Sequence, residues 1–293
     1  MLISDKLVFV ELQKTGSTHI KKLLQDIVGG KNDGKHNTPP EDLLASGKQF
    51  IGSVRDPWAW YLSLWTYGCQ QKGELFQRLT NEKKWERVLS KVGTGAKDGD
   101  DDEADAKPKG KAAKGDDDTK EKKVLPADWG PDRAKTFWYA DPENAEAFRE
   151  WLQVVLGTAR LRRLLEAGYG KSPISKAGGL MTFRYFTLFV KGAEEADKGI
   201  DNLNALKEYD KASCFIDHFI RNESLAQDFI KTLDAIGIPL TDEQRKSVLE
   251  AKKTNVSTRP KGPEHYYDDA SIQLVLRRDK FIIDKFGYKN KKP

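Results

Sequence analysis

Cysteine is nearly missing from this sequence: Cys69 and Cys214 are the only two among 293 residues. Two cysteines cannot build the disulfide framework of a secreted scaffold, and so few suit a reducing compartment. Long apolar runs are missing as well. The stretch from Leu7 to Val10 is far short of the roughly 20 residues that a membrane span needs, and it leads into a glycine motif rather than a cleavage site. These absences lead us to expect a cytoplasmic protein with no membrane segment. Histidine is scarce, at four residues, and no group of possible ligands has metal spacing, so no metal is expected. Lysine and arginine form no stripe interleaved with aromatics, which argues against nucleic acid as a partner. There is no internal repeat.

Charge, by contrast, is plentiful, at 32% of residues for a net charge of only +5. Much of it is concentrated in residues 97–123, where 18 of 27 positions are charged and there is no Val, Leu, Ile, Met or aromatic residue. Such a segment cannot bury enough apolar surface to offset its ordering entropy and reads as a disordered insertion in a single domain spanning 1–293. Without it the remaining 266 residues carry +7, a mild excess that suits an anionic ligand.

Apolar periodicity supplies the elements. Leu7 to Leu12 reads as a buried strand, and Ile20, Leu23, Leu24 and Ile27 recur at helical spacing over Ser17–Val28 before Gly29-Gly30 stops the helix. Phe50 to Val54 is a second strand. Asp56-Pro57 then starts a helix, with Asp as cap and Pro at the first position, that carries the aromatics Trp58 to Tyr67. A long amphipathic helix is expected over 143–166, a strand over Cys214–Ile220, helices near 223–236 and 241–253, and a last helix from Asp269 to Phe286. Strands alternating with helices indicate an α/β fold with a central, mostly parallel sheet flanked by helices.

Two short motifs carry chemistry. Lys14-Thr15-Gly16-Ser17-Thr18-His19 leaves a strand and opens a helix, which aims successive backbone N–H groups and the positive helix end at an anion. Gly16 permits close approach, Ser17 and Thr18 add hydroxyls, and Lys14 adds a mobile charge. The alternative is an ordinary strand-to-helix turn with a capping hydroxyl. It is not a Walker A loop, because the lysine precedes the glycine and no upstream glycine exists. The second motif is Arg55-Asp56-Pro57 with Ser63 eight residues after the arginine. A guanidinium and a hydroxyl make a good phosphate clamp, though Arg55 could equally pair with Asp56 or a sheet-end carbonyl. Trp58, Trp60, Tyr61 and Trp65 read as core.

Together the two motifs resemble the sulfotransferases that use 3′-phosphoadenylyl sulfate (PAPS), with Tyr61 to Trp65 closest to the carbohydrate, heparan-sulfate-type members. The stretch Phe219 to Leu225 and the closing Tyr266-Tyr267-Asp268 and Phe286-Gly287-Tyr288 are similar to that family's later segments. The resemblance implies a P-loop-like three-layer fold. It also implies PAPS as sulfuryl donor and in-line transfer to a hydroxyl of a carbohydrate or small-molecule acceptor. Lys14 would be catalytic, and Lys14, Thr15, Gly16, Ser17, Thr18 and His19 would hold the 5′ end of the nucleotide. Arg55 and Ser63 would hold its 3′-phosphate, and Ser257, Arg259 and Lys261 would form a basic closing loop, the plain alternative being a surface loop. By the same resemblance His36, in the polar stretch ahead of the second strand, is the candidate base. Its separation from Lys14 is shorter than the family pattern implies, and a solvent-exposed loop histidine is the other reading. His19 suits phosphate donation, His218 suits a strand position, and His265 is a distant second candidate for the base. Arg184, in Gly178 to Tyr185, is a candidate for facing an anionic or sugar acceptor. A P-loop-type kinase and a non-catalytic nucleotide-binding module are the competing functions.

Overall fold

The structure is a computed structural model that describes residues 1–93, 125–157, 161–193, 199–251 and 261–289. The 97–123 insertion, Ser257 and Arg259 lie outside the described residues. Five strands form one mixed sheet: β1 (Leu2–Ile3), β2 (Leu7–Val10), β3 (Lys31–Asn32), β4 (Gln49–Val54) and β5 (His218–Arg221), in the order β3-β1-β2-β4-β5. The three longer strands are parallel, with Leu7 opposite Gln49 and Ile51 opposite His218. The two-residue strands β1 and β3 add to the β2 edge in antiparallel fashion. The chain is therefore α/β, with parallel pairing at its centre.

Alternation along the strands splits the core in two. Val8, Val10, Phe50 and Val54 join one apolar cluster with the tryptophan-rich helices. Leu7, Phe9, Ile51 and Ile220 join the other, with Ile20, Leu23 and Leu24 of α1 (Ser17–Val28) and Leu225, Phe229 and Leu233 of the Leu225–Ala235 helix. Both faces of the parallel strands are covered, as expected for strands that read as continuous apolar runs.

α1 begins and ends where the glycines place it, with Gly16 before it and Gly29 after it, both at positive φ. After α2 (Glu41–Leu44) and β4, the Asp56 side chain accepts a hydrogen bond from Ala59 N at 2.9 Å and so caps α3 (Pro57–Cys69), with Pro57 in the first turn. Trp58, Trp60, Tyr61 and Trp65 on α3 are all buried, as read.

Three expected elements differ. The long helix over 143–166 is an α-helix only over Ala145–Leu152. It then widens into a π-helical turn over Gln153–Gly157, which turns Val154, Val155 and Leu156 all toward the core, and a short helix follows at Arg162–Leu165. The last helix is two, Asp269–Arg278 and Lys280–Phe286, parted at Asp279. The strand expected over Cys214–Ile220 starts only at His218, with Cys214 making an isolated bridge to Val190. No helix among the described residues is long and apolar enough to cross a membrane.

Candidate functional site

Parallel strands of an α/β sheet present their carboxyl ends, and the loops beyond them, as the natural place for ligands. Here β2 ends at Val10 and β4 at Val54, and the two sequence motifs follow directly. Between Val10 and α1 the chain makes a tight loop. Lys14 (φ 64) and Gly16 (φ 82) both have left-handed backbone, a conformation natural to glycine and costly for lysine. The strained lysine sits where a function for its side chain is the first question to ask. Gly16 also has no room for a side chain, because a Cβ there would lie 2.6 Å from Asn222 Nδ2. As cap residue of α1 it offers no side-chain hydrogen bond, so the first-turn amides of Ser17 and Thr18 are left pointing outward along the helix axis.

Two cations converge on this loop. Arg55 Nη1 donates to the Lys14 carbonyl at 3.1 Å, tying the end of β4 to the loop after β2. The Lys14 ammonium lies 4.0 Å from the centre of the Tyr67 ring on α3 and makes no ion pair with a carboxylate among the described residues. Burial, and then the neighbouring Arg55 charge, bring its pKa down to about 8. The Arg55 charge acts against the Lys14 ammonium, and a bound anion would relieve it.

The other residues of the loop divide. Thr15 is fully buried: its hydroxyl donates to the Leu12 carbonyl at 2.7 Å and meets Ser53 Oγ at 2.6 Å. The Thr15 side chain therefore pins the loop to β4, and only its backbone remains for a ligand. Ser17 and His19 are buried on the first turn of α1, whereas Thr18 is exposed. Ser63 is buried on α3 and makes no side-chain hydrogen bond among the described residues. Lys261 is exposed just before the Pro263–Tyr266 helix and makes no hydrogen bond to the loop among the described residues.

His36 comes to the same end of the sheet. Its Nδ1 lies 2.7 Å from the carbonyl oxygen of Glu11, the residue that follows β2. A carbonyl only accepts, so Nδ1 carries the proton and Nε2 holds the lone pair of the neutral ring. Burial is the main cause holding its pKa below the usual 6.5, with the Glu11 hydrogen bond and charge opposing and Arg184 and Lys35 assisting. Burial thus favours the neutral ring, whose free nitrogen is directed away from Glu11. A second tie, from Thr38 Oγ1 to the Thr187 carbonyl at 2.9 Å, fastens this loop to the Leu180–Phe189 helix. His218 and His265 stand elsewhere. His218 lies at the amino end of β5 with Nε2 3.3 Å from Gln49 Oε1, and His265 donates from Nε2 to the Glu143 carbonyl at 2.9 Å.

Several residues of the site were not singled out from the sequence. Tyr67 carries the Lys14 ammonium, and Asn222 covers Gly16. Glu223 accepts from the Asp56 amide at 2.9 Å and from the Tyr288 hydroxyl at 3.3 Å, so it ties the turn after β4 to the end of the chain's last helix region. Asn222 and Glu223 directly follow β5, and the carboxyl-end rule for parallel strands would have flagged them. A cavity of about 520 Å³, lined among others by Lys48, Gln49, Lys191 and Asp217, opens at the other, amino end of β4 and β5. It contains none of the residues of either motif. Among the described residues no group of three or more His, Cys, Asp or Glu side chains could hold a metal ion.

No protein-family model, no curated protein and no solved structure matches this chain.

Proposed function

We propose that the chain is a PAPS-dependent sulfotransferase with a P-loop-like three-layer fold, transferring a sulfuryl group to a hydroxyl of a carbohydrate or small molecule. The observation that carries this reading is the pairing of Lys14 and Arg55. Two cations, one with its pKa lowered to about 8, are joined at the mouth of a Gly16 loop that opens a helix. Perturbed ionisable groups are more common at functional sites than elsewhere, and a nucleotide with phosphates at both ends would meet Lys14 and Arg55 together.

In this reading the amides of α1 and the Lys14 ammonium take up charge developing on the departing bisphosphate. Arg55 and Ser63 hold the 3′-phosphate and so set the line of attack. His36, neutral and with its proton on Nδ1, presents Nε2 to the acceptor hydroxyl, takes its proton as the oxygen attacks sulfur, and the bond from sulfur to the bridging phosphate oxygen breaks. Thr15 acts through its backbone alone.

The test is transfer of label from 35S-labelled PAPS to a pool of glycans and phenols, with a thermal-shift titration of adenosine 3′,5′-bisphosphate beside it. Transfer together with stabilisation supports the reading; absence of both overturns it. His36→Ala is expected to lower turnover by at least about 100-fold while leaving affinity for the bisphosphate unchanged. Because the His36 pKa is held down, the acidic limb of the wild-type turnover profile should have its midpoint below 6.5. A variant that keeps most of its rate removes His36 from the base role.

A further inference from the structure

Arg184, which the sequence offers only as a candidate for facing an acceptor, takes no part in the transfer steps described above. It lies on the Leu180–Phe189 helix and is only 6% exposed. A guanidinium has five N–H donors. Here a single one is used among the described residues: Nε–H donates to Glu166 Oε2 at 2.7 Å. The contact is one-pronged, so the end of the fork formed by Nη1 and Nη2 makes no hydrogen bond among the described residues. Neither nitrogen is among the fully buried atoms without a partner, so the small exposed part of Arg184 includes the end of the fork, where a ligand can reach it.

The position of the idle fork is fixed from two sides. The Arg184 guanidinium carbon lies 5.4 Å from the centre of the Trp60 ring, and Trp60 Nε1 donates to the Gln13 carbonyl at 2.7 Å, next to Lys14. Three residues further along the same helix, the Thr187 carbonyl holds Thr38 and with it the His36 loop. The Arg184 charge is felt at His36, together with those of Glu11 and Lys35. Arg184 is therefore linked through Trp60 to the segment that leads into the phosphate loop, and through its own helix to the loop of the candidate base.

We propose that Arg184 forms an oxyanion site separate from the nucleotide loop, its Nη1 and Nη2 taking the two oxygens of a carboxylate or sulfate group beside His36. Guanidinium geometry matches such a group in two-pronged fashion. Glu166 is the positioning residue: it holds Nε and turns the free end of the fork outward. The inference rests on the sulfuryl-transfer reading for one point only, that the anion belongs to the acceptor. The acceptor would then carry a negative group near the hydroxyl that is modified.

The site is tested by isothermal titration of the full chain, first saturated with adenosine 3′,5′-bisphosphate, using glucuronate and inorganic sulfate as probes. Binding of glucuronate supports an anionic group on a sugar acceptor, whereas binding of sulfate alone supports a free anion at the same fork. Arg184→Gln is expected to weaken the bound probe at least tenfold. Arg184→Lys, which keeps the charge and loses the fork, should weaken it less, with bisphosphate affinity the same in all three proteins. Arg184→Lys carries the test alone where Arg184→Gln does not fold. The proposal is overturned where the wild type takes up neither probe, or where the foldable variants bind them as tightly as the wild type. Should the bisphosphate itself not bind, the same titrations on Lys14→Met, with the phosphate loop silenced, still read Arg184. Probe binding that depends on Arg184 there keeps the oxyanion site and removes the sulfotransferase reading.

Discussion

Around Asp279 every carboxylate oxygen has a donor, whereas around Lys14 the nearest charge has the same sign. Asp279 is fully buried where the last two helices meet: Oδ1 accepts from Thr182 N and Thr182 Oγ1 at 2.9 and 2.7 Å, and Oδ2 accepts from Tyr61 OH at 2.5 Å. The neighbouring Arg278 donates to the carbonyls of Ser175 and Gly178 at 2.6 and 2.7 Å. Gly179 is packed so close that a Cβ there would strike the Asp279 carboxylate. At Lys14 the ammonium has an aromatic face and an arginine for neighbours. Asp279 is wholly buried, which pushes its carboxyl pKa up, and Lys14 is half-buried. One is closed by its own chain and holds α3, the Leu180–Phe189 helix and the last helices together, and the other is left to be closed by something that binds.

The sharpest way to break this contrast is to remove one charge from each place. Asp279→Ala strands Tyr61 OH, Thr182 N and Thr182 Oγ1 without an acceptor, each worth about 1–3 kcal/mol when buried and unmade. Its expected loss is at least about 3 kcal/mol of unfolding free energy by chemical denaturation. Lys14→Met removes an unpaired cation and keeps its length, so stability should stay within about 1 kcal/mol of the wild type, while affinity for adenosine 3′,5′-bisphosphate falls at least tenfold. Equal stability losses in the two variants would show that Lys14 is as structural as Asp279.

A smaller effect is expected at Gly16, where fold and site meet. Gly16→Ala forces a side chain into left-handed backbone, at about 1–2 kcal/mol, and pushes Asn222 away. A total loss of about 2 kcal/mol is expected, accompanied by weaker bisphosphate binding because the loop amides shift. Should Gly16→Ala lose stability yet bind normally, the loop is a structural turn and the ligand lies elsewhere.

How much of this could be read from sequence follows from the range of the interactions. The bounds of α1, the Asp56 cap and Pro57 start of α3, and the cores of β2 and β4 depend on neighbours within four residues or on simple periodicity, and they were legible. The two-residue strands β1 and β3 are too short to show a period. The break at Asp279 depends on Tyr61, which is 218 residues away in the chain, and the π-helical turn after Leu152 answers to packing rather than to propensity. Within the site the cations Lys14 and Arg55 stood out because charges at strand ends are conspicuous. Their surroundings did not: Tyr67 beneath Lys14 lies on α3 and Glu166 beside Arg184 lies just past the Arg162–Leu165 helix, and nothing in the local pattern distinguishes them from core or surface residues. The inward turn of Thr15 was hidden for the same reason, since it depends on Ser53 across the sheet.

The smallest expected effect bears most directly on the contrast, because it titrates Lys14 itself. With its pKa near 8, Lys14 is mostly protonated at pH 7 in the free protein and mostly neutral by pH 9. A bound phosphate favours the ammonium and raises that pKa, so above pH 8 binding must be accompanied by proton uptake. Affinity for the bisphosphate is therefore expected to be level with respect to this group below pH 8 and to fall about tenfold between pH 7 and pH 9, which is about 1.4 kcal/mol. Isothermal titration in two buffers of different ionisation enthalpy reads the uptake directly: close to one proton at pH 9, close to none at pH 7. Lys14→Arg stays charged and Lys14→Met stays neutral, so both should lose the slope, the first with affinity retained and the second with affinity low throughout. A slope that survives in both variants would assign the titration to another group and make the crowding of Lys14 against Arg55 a feature of packing alone.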